Sequence, residues 1–217
     1  MRTDARTALQ TWLTEKIDSM LFTALTANPT SDRIVYASSA KTEVGTTAAD
    51  KFTTDIIGKA KRIATTDSNA RIRPVKVNKG NYYVMVIDPW QARDLKSDEK
   101  WLAAQQHAAL RGLDNPIFTG ALGLYDGVVI HENDQISRTA TGASGIKVGH
   151  ALFLGAQAAA FAEGAQVEWN EDDFDYHNQK GFAIGRIFGV AKSKYKFDGT
   201  KDTDFGCIQV VTSSVDD

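Results

Sequence analysis

Two short segments of this 217-residue chain gather groups that could do chemistry. His131-Glu132-Asn133-Asp134 offers an imidazole and two carboxylates within four positions, and Glu168-Trp-Asn-Glu-Asp-Asp-Phe-Asp-Tyr-His177 is dense in acids. The first could serve a metal-dependent hydrolase only if its side chains converge. On a strand His131 and Glu132 point to opposite faces, which favours polar residues at a strand end. The second has the hard oxygens that calcium prefers, but not the Asp-x-Asp-x-Asp-Gly spacing with a later Glu. It reads as a solvated acidic loop, or as an acidic face meeting a basic neighbour such as Lys192, Lys194 and Lys196. Those lysines alternate as they would to guard a strand edge. Cys207 stands alone in Phe205-Gly-Cys-Ile-Gln-Val-Val, so no intrachain disulfide or thiolate cluster is possible, and a small buried thiol is expected. His107, within a helical stretch, and His150, beside Gly149, have no partner visible in the sequence. No serine sits in a nucleophile elbow. No catalytic, cofactor-binding or metal-ligating residue is therefore assigned, and the chain is read as a non-enzyme.

These residues are carried by a recognisable set of elements. Leu9, Trp12, Leu13, Ile17, Met20, Leu21 and Leu25 recur at helical spacing and predict a long amphipathic helix over 2–27, ended at Asn28-Pro29. A second helix is expected over 47–64, capped by Thr46 or Thr47, with Ala48, Phe52, Ile56, Ile57, Ala60 and Ile63 as its buried face. Residues 71–77 alternate but contain Pro74, which weakens an interior strand. Lys79-Gly80-Asn81 reads as a turn. Tyr82–Ile87 is a continuous apolar run expected at the centre of a sheet. Asp88-Pro89 then starts a helix over about 90–96, and another is expected over 101–111, closed by Gly112. Further strands are expected at 128–131, 151–154, 182–187 and 207–212, the last two joined through a turn at Asp198-Gly199. A mobile loop is expected over 137–144 and a short helix at 157–161. The sum is an α+β protein.

Composition adds bounds. The net charge of −2 suggests no bulk attraction to nucleic acid or to an anionic membrane. The charged N-terminus without an apolar core predicts no signal peptide, and no run of 18 apolar residues is present. Trp90, Trp101 and Trp169 suit subunit contacts and core packing equally. Three glycines, Gly120, Gly123 and Gly127, precede the strand sequence Val128-Val129-Ile130. A phosphate cradle needs its glycines after a strand and at a helix start, so this order argues against one.

The run Phe118-Thr-Gly-Ala-Leu-Gly-Leu-Tyr-Asp-Gly-Val128, continued by Val129-Ile-His-Glu132, resembles a segment of the major capsid proteins of tailed bacteriophages. Ala151–Ala159, Asp175-Tyr176 with Lys180–Arg186 and Gly189, and Tyr82–Pro89 match in the same order, so the likeness runs from about residue 1 to about 213. The chain is most similar to the N-four-type podophage shell proteins, which share the Hong Kong 97-type capsid fold. The resemblance implies a structural virion protein, a head subunit that tiles into an icosahedral shell around phage DNA. It implies a spine helix at 2–27, a peripheral-type domain over 1–114 and 180–217, and an axial-type domain over 115–179. Partners would be other copies of the chain, with scaffolding and portal proteins, and neither sequence-specific nucleic acid nor a membrane. The place would be the virion, and the host bacterial cytoplasm before assembly. Family members carry an N-terminal arm and an extended loop before the spine helix. Their absence here leads to the expectation of a truncated, prophage-derived form that assembles weakly, as a monomer or small oligomer. A metal-dependent hydrolase using His131, Asp134 or the 171–177 carboxylates, and a generic binding module, stand as alternatives.

Overall fold

The computed structural model describes residues 2–39, 41–66, 71–77, 80–106, 121–176, 178–196, 199 and 202–216. In chain order the elements are α1 (Arg2–Thr26), β1 (Ile34–Tyr36), α2 (Thr54–Thr66), β2 (Val75–Val77), β3 (Gly80–Ile87), α3 (Pro89–Lys96) and α4 (Glu99–Gln106). There follow β4 (Gly123–Tyr125), β5 (Val128–Glu132), β6 (Arg138–Thr139), β7 (Val148–Leu154), β8 (Ala159–Phe174), β9 (Gln179–Lys192), β10 (Lys194–Lys196), β11 (Asp202–Asp204) and β12 (Cys207–Ser213). Mixed helix and strand in this pattern is α+β, as expected.

The apolar run that β3 contributes lies inside a mixed sheet of order β1-β12-β7-β3-β5-β4. It pairs antiparallel with β7, placing Met85 opposite Phe153, and parallel with β5, placing Met85 opposite Ile130. Strands covered on both faces lose the alternation of a half-exposed strand. On one face Met85, Phe153, Ile130 and Val210 meet Phe52, Ile57 and Ala60 of the α2 region and Leu95 of α3. On the other, Val86, Leu152 and Cys207 meet Leu25, with Leu21 and Phe22 beside them, from the last turns of α1.

α1 ends where the sequence predicts, and Asn28 adopts a left-handed φ of 45° just beyond it. Its apolar stripe, however, is only partly covered: Leu9, Leu13, Ile17 and Leu21 are half-buried, and Trp12 and Met20 are exposed. Leu25 is the one described α1 residue that is buried, and Trp12 is 52% exposed, because only the final turns reach the sheet. α2 starts at Thr54, seven residues later than predicted. Thr47 closes a local turn instead, its N–H and hydroxyl donating to the Asp50 carboxylate, and Ala48 is exposed. The cap of α2 comes from the connection between α3 and α4: the N–H and hydroxyl of Thr54 both donate to Asp98 Oδ2 at 2.8 Å. Burial pushes the Asp98 carboxyl up, but these bonds and Lys100 hold it below the usual carboxylate range.

Several expectations are corrected. The segment 137–144 is not a loose loop: it holds β6, which pairs with β7, and a 3₁₀ turn starting at Ala143, whose N–H donates to Thr46 O at 2.9 Å. No helix forms at 157–161, since Gln157 takes a φ of 63° and Ala159–Ala160 pair with Ala191–Lys192. The acidic stretch is not a loop but the far end of β8. The proposed domain split also fails to follow the hydrogen bonding. β3 and β12, assigned to one part, are paired in a single sheet with β5 and β7, assigned to the other. The boundary at 179/180 runs through the paired β8–β9 ribbon. Of the expected Lys79-Gly80-Asn81 turn, Gly80 and Asn81 are strand, pairing with Val77 and Lys76, while Lys79, the helix beyond Gln106 and Asp198 of the Asp198-Gly199 turn lie outside the described residues.

Candidate assembly surface

β8 and β9 form a two-stranded antiparallel ribbon separate from the central sheet. Sixteen residues of β8 extend about 50 Å at strand rise. Alternation sorts β9 cleanly: Phe182, Ile184, Arg186, Phe188, Val190 and Lys192 are half-buried, and Ala183, Gly185, Ile187, Gly189 and Ala191 are exposed. On the half-buried side Phe161 stacks on Phe188 with centroids 5.6 Å apart, and Trp169 tilts against Phe182 at 5.9 Å. Arg186 lies over Phe161 at 5.1 Å and pairs with Glu163 at 3.0 Å. α1 runs beside this face. Near its start Arg2 Nε donates to Glu171 at 2.6 Å, and the Arg6 guanidinium lies over the Trp169 ring at 5.9 Å. At its end Lys192 Nζ donates to Ala27 O at 2.8 Å and to Asp204 Oδ2 at 2.9 Å.

The expected acidic-to-lysine match is therefore rearranged. Lys192 serves the buried Asp204, Lys194 approaches the same carboxylate at 3.8 Å, and the acidic end of β8 finds Lys180 and Arg2. Large apolar side chains remain exposed along α1 and the ribbon: Trp12, Met20, Phe161, Val167, Phe174, Ile187 and Tyr176, the last 97% exposed. Exposed large apolar side chains on two neighbouring elements suit a surface that meets other molecules.

The glycine run has a different use from a phosphate cradle. β4 and β5 are joined by Asp126 and Gly127 alone, with φ of 47° and 74°, the two-residue hairpin turn that Asp-Gly favours. Lys61 Nζ secures it through Asp126 O and Oδ1, both at 2.6 Å. Residues 115–120 of the run lie outside the described residues.

The suspected chemical groups do not converge. His131 and Glu132 end β5 in the central sheet, where Glu132 faces Lys96 at 3.5 Å, whereas Glu168–Phe174 belong to the ribbon. Among the described residues no group of three His, Cys, Asp or Glu is placed to hold a metal ion. No described helix is long and apolar enough to cross a membrane. Cys207 is buried, and burial pushes its thiol up to about 12. His107 and His177 lie outside the described residues.

Two buried polar networks escaped sequence reasoning. His150 Nε2 lies 2.9 Å from Thr139 Oγ1 and 3.2 Å from Glu43 Oε1, and Nδ1 lies 2.8 Å from Gln209 Nε2. Burial drives the His150 pKa down, and Glu43 only partly restores it. Burial pushes Glu43 up, but the hydroxyls of Thr141 and Thr139 with His150 hold it below the usual range. The second network is centred on Asp88. Its Oδ1 accepts from Gln91 N–H at 2.6 Å while its own N–H donates to Gln91 Oε1, a capping box that starts α3. Its Oδ2 accepts from Ser214 Oγ at 2.7 Å, and Gln91 Nε2 donates to Gly149 O and Thr212 Oγ1. Arg138 closes the network on Ser214 and stacks 3.6 Å above Trp90. Asp88-Pro-x-Gln91 was the one readable signal, a box followed by proline. These groups tie strands and helices together, which is structural work.

Comparison with known proteins gives the family. A family model described as phage capsid protein matches residues 2–216. The major capsid protein of Pseudomonas phage KPP25 is 33% identical over 142 residues, which are 61% of this chain and 38% of that protein. The chain thus matches well under half of that curated relative's length. Among solved structures, the capsid of Ralstonia phage GP4 superposes with a TM-score of 0.84 at 27% identity, over 99% of this chain and 68% of that one. The capsid of cyanophage Pam1 gives 0.77 at 21% identity, over 100% and 70%, and so speaks for the fold. A family match over nearly every residue, joined to a fold that exposes a long helix and ribbon, leads to one conclusion: the chain belongs to the phage capsid protein family.

Proposed function

We propose that this chain is the structural shell subunit of a phage head, with the Hong Kong 97-type fold, and that it acts by associating with copies of itself around DNA rather than by catalysis. The observation that carries the reading is the α1–ribbon surface, where Trp12, Met20, Val167, Phe174, Ile187 and Tyr176 stay exposed to a large extent. α1 with β8–β9 is the peripheral-type part in this reading, α1 being the spine helix. The central sheet with α2–α4 is the axial-type part. A net charge of −2 suits a wall that must not grip its contents. Scaffolding and portal proteins would be the other partners, met in the host cytoplasm before the subunit enters the virion. Sedimentation velocity across a concentration series, with electron microscopy of the heaviest fraction, tests the proposal. Small oligomers up to capsomer size, growing with concentration, are expected. A chain that stays monomeric throughout overturns it.

A further inference from the structure

A cleft of about 440 Å³ runs along β1 and the outer side of α2, lined by residues 34–39 with Lys41, Lys59, Arg62 and Ile63. β1 ends the sheet, so one side of its backbone has no strand partner among the described residues. Ala37 N–H donates to Val211 O on β12, and alternation turns the peptide groups of Ile34 and Tyr36 toward the open side. Lys41, Lys59 and Arg62 are exposed and make no ion pair among the described residues. The cleft therefore offers an unused strand edge, an apolar floor from Ile34 and Ile63, and three uncompensated cations.

The complementary shape lies at the other end of the same molecule. The tip of the ribbon carries Glu168, Glu171, Asp172, Asp173 and Asp175, of which Glu171 and Asp173 have cationic partners in Arg2 and Lys180. Phe174 and Tyr176 stand exposed beside them, and Asp175 and Tyr176 both hold a φ of 51°. A left-handed tyrosine is costly, and one that is 97% exposed earns nothing inside its own chain. The tip cannot fold back into the cleft. Arg2 meets Glu171 near the tip, whereas Thr26 and Pro29 border Ile34 beside the cleft, so the length of α1, about 37 Å, separates them.

We infer that the ribbon tip of one copy seats in the β1–α2 cleft of a second copy. Asp172 and Asp175 then face Lys59, Arg62 and Lys41, and Phe174 and Tyr176 cover the apolar floor. This rests on the shell-subunit reading and names the contact through which it would act. Because each molecule carries both halves at separated ends, the contact is head-to-tail, the kind that generates rings or extended arrays. It should weaken with added salt, since exposed charges are screened beyond about 10 Å at 0.1 M.

Charge reversal tests it in the full chain. Asp172→Lys with Asp175→Lys, and separately Lys59→Glu with Arg62→Glu, should each weaken self-association by about tenfold, and mixing the two variants should restore it. Asp175→Cys mixed with Arg62→Cys should give a heterodisulfide, with Cys207 silent because it is buried. All these positions are exposed, and because replacing Asp175 at its φ of 51° strains the backbone, Asp172→Lys alone, with an unchanged urea midpoint, carries the same test. Wild-type association that persists in both reversed variants, without the mixed cross-link, overturns this contact and leaves the subunit reading standing. A wild-type chain that never associates overturns both.

Discussion

Replacing Asp88 by alanine removes three things at once. The fully buried carboxylate caps α3 through Gln91 N–H at 2.6 Å and accepts the Ser214 hydroxyl at 2.7 Å, with Arg138 Nε at 3.9 Å. Loss of an N-cap costs about 1 kcal/mol. The buried Ser214 hydroxyl, left without its acceptor, adds about 1–3 kcal/mol. The Arg138 term is small, because Arg138 keeps Asp216 at 2.8 Å. The total is about 3 kcal/mol, which at an m-value of about 2 kcal/mol/M lowers the urea midpoint by about 1.5 M. Gly149 supplies the internal control. A Cβ there would collide with Asp88 Oδ2 and sit 2.8 Å from Gln91 Nε2, so Gly149→Ala should cost about 1–3 kcal/mol by overpacking. Asp88→Ala clears one of those obstacles. The double variant should therefore be less destabilised than the sum of the singles by at least about 1 kcal/mol. Equilibrium urea unfolding followed by tryptophan fluorescence reads all four chains. A midpoint shift below about 0.3 M for Asp88→Ala, or strict additivity in the cycle, would refute the network as the link between α3, β7 and the C-terminal strand.

Three other outcomes follow from the same packing. Lys192→Met leaves the Asp204 carboxylate, 1% exposed, with only the Thr30 N–H at 3.0 Å and Lys194 at 3.8 Å, and should cost about 3–5 kcal/mol; adding Asp204→Asn should recover most of it in the same urea assay. The thiol of Cys207, pushed up to about 12, should be inert to a disulfide reagent at pH 8 until guanidinium unfolds the chain, and rapid labelling of native protein would contradict its burial. Stability should fall on acidification. The His150 pKa lies below its usual 6.5 in the fold, so between the two values the unfolded chain binds the extra proton, and stability present above 6.5 is lost as pH drops. Glu43, also held low, adds a loss of the same sign at lower pH as it protonates. Urea midpoints at pH 7.5 and pH 5 should therefore differ less for His150→Gln than for wild type, and equal slopes would sink this assignment.

Local chemistry was legible in the residue order wherever a signal spans a few positions. The helical repeat of α1, its stop at Asn28-Pro29, the buried run of β3, and the proline start of α3 all depend on contacts within four residues or on one solvent preference, and all stand as read. The resemblance to capsid proteins was likewise readable, because it rests on residue order and is matched from 2 to 216. What failed in the reading depended on distant partners. α2 begins at Thr54 because Asp98, 44 residues away, caps it there. The alanines of 157–161 form strand rather than helix because β9 lies alongside to pair with them, and the acidic stretch is drawn out for the same reason. His150 looked solitary because Gln209, 59 positions later, reaches it only across the β7–β12 pairing. Spacing along the chain determines what a segment can form. Which form it takes, and which polar groups meet, is decided by the burial and hydrogen bonds that only the assembled sheet supplies.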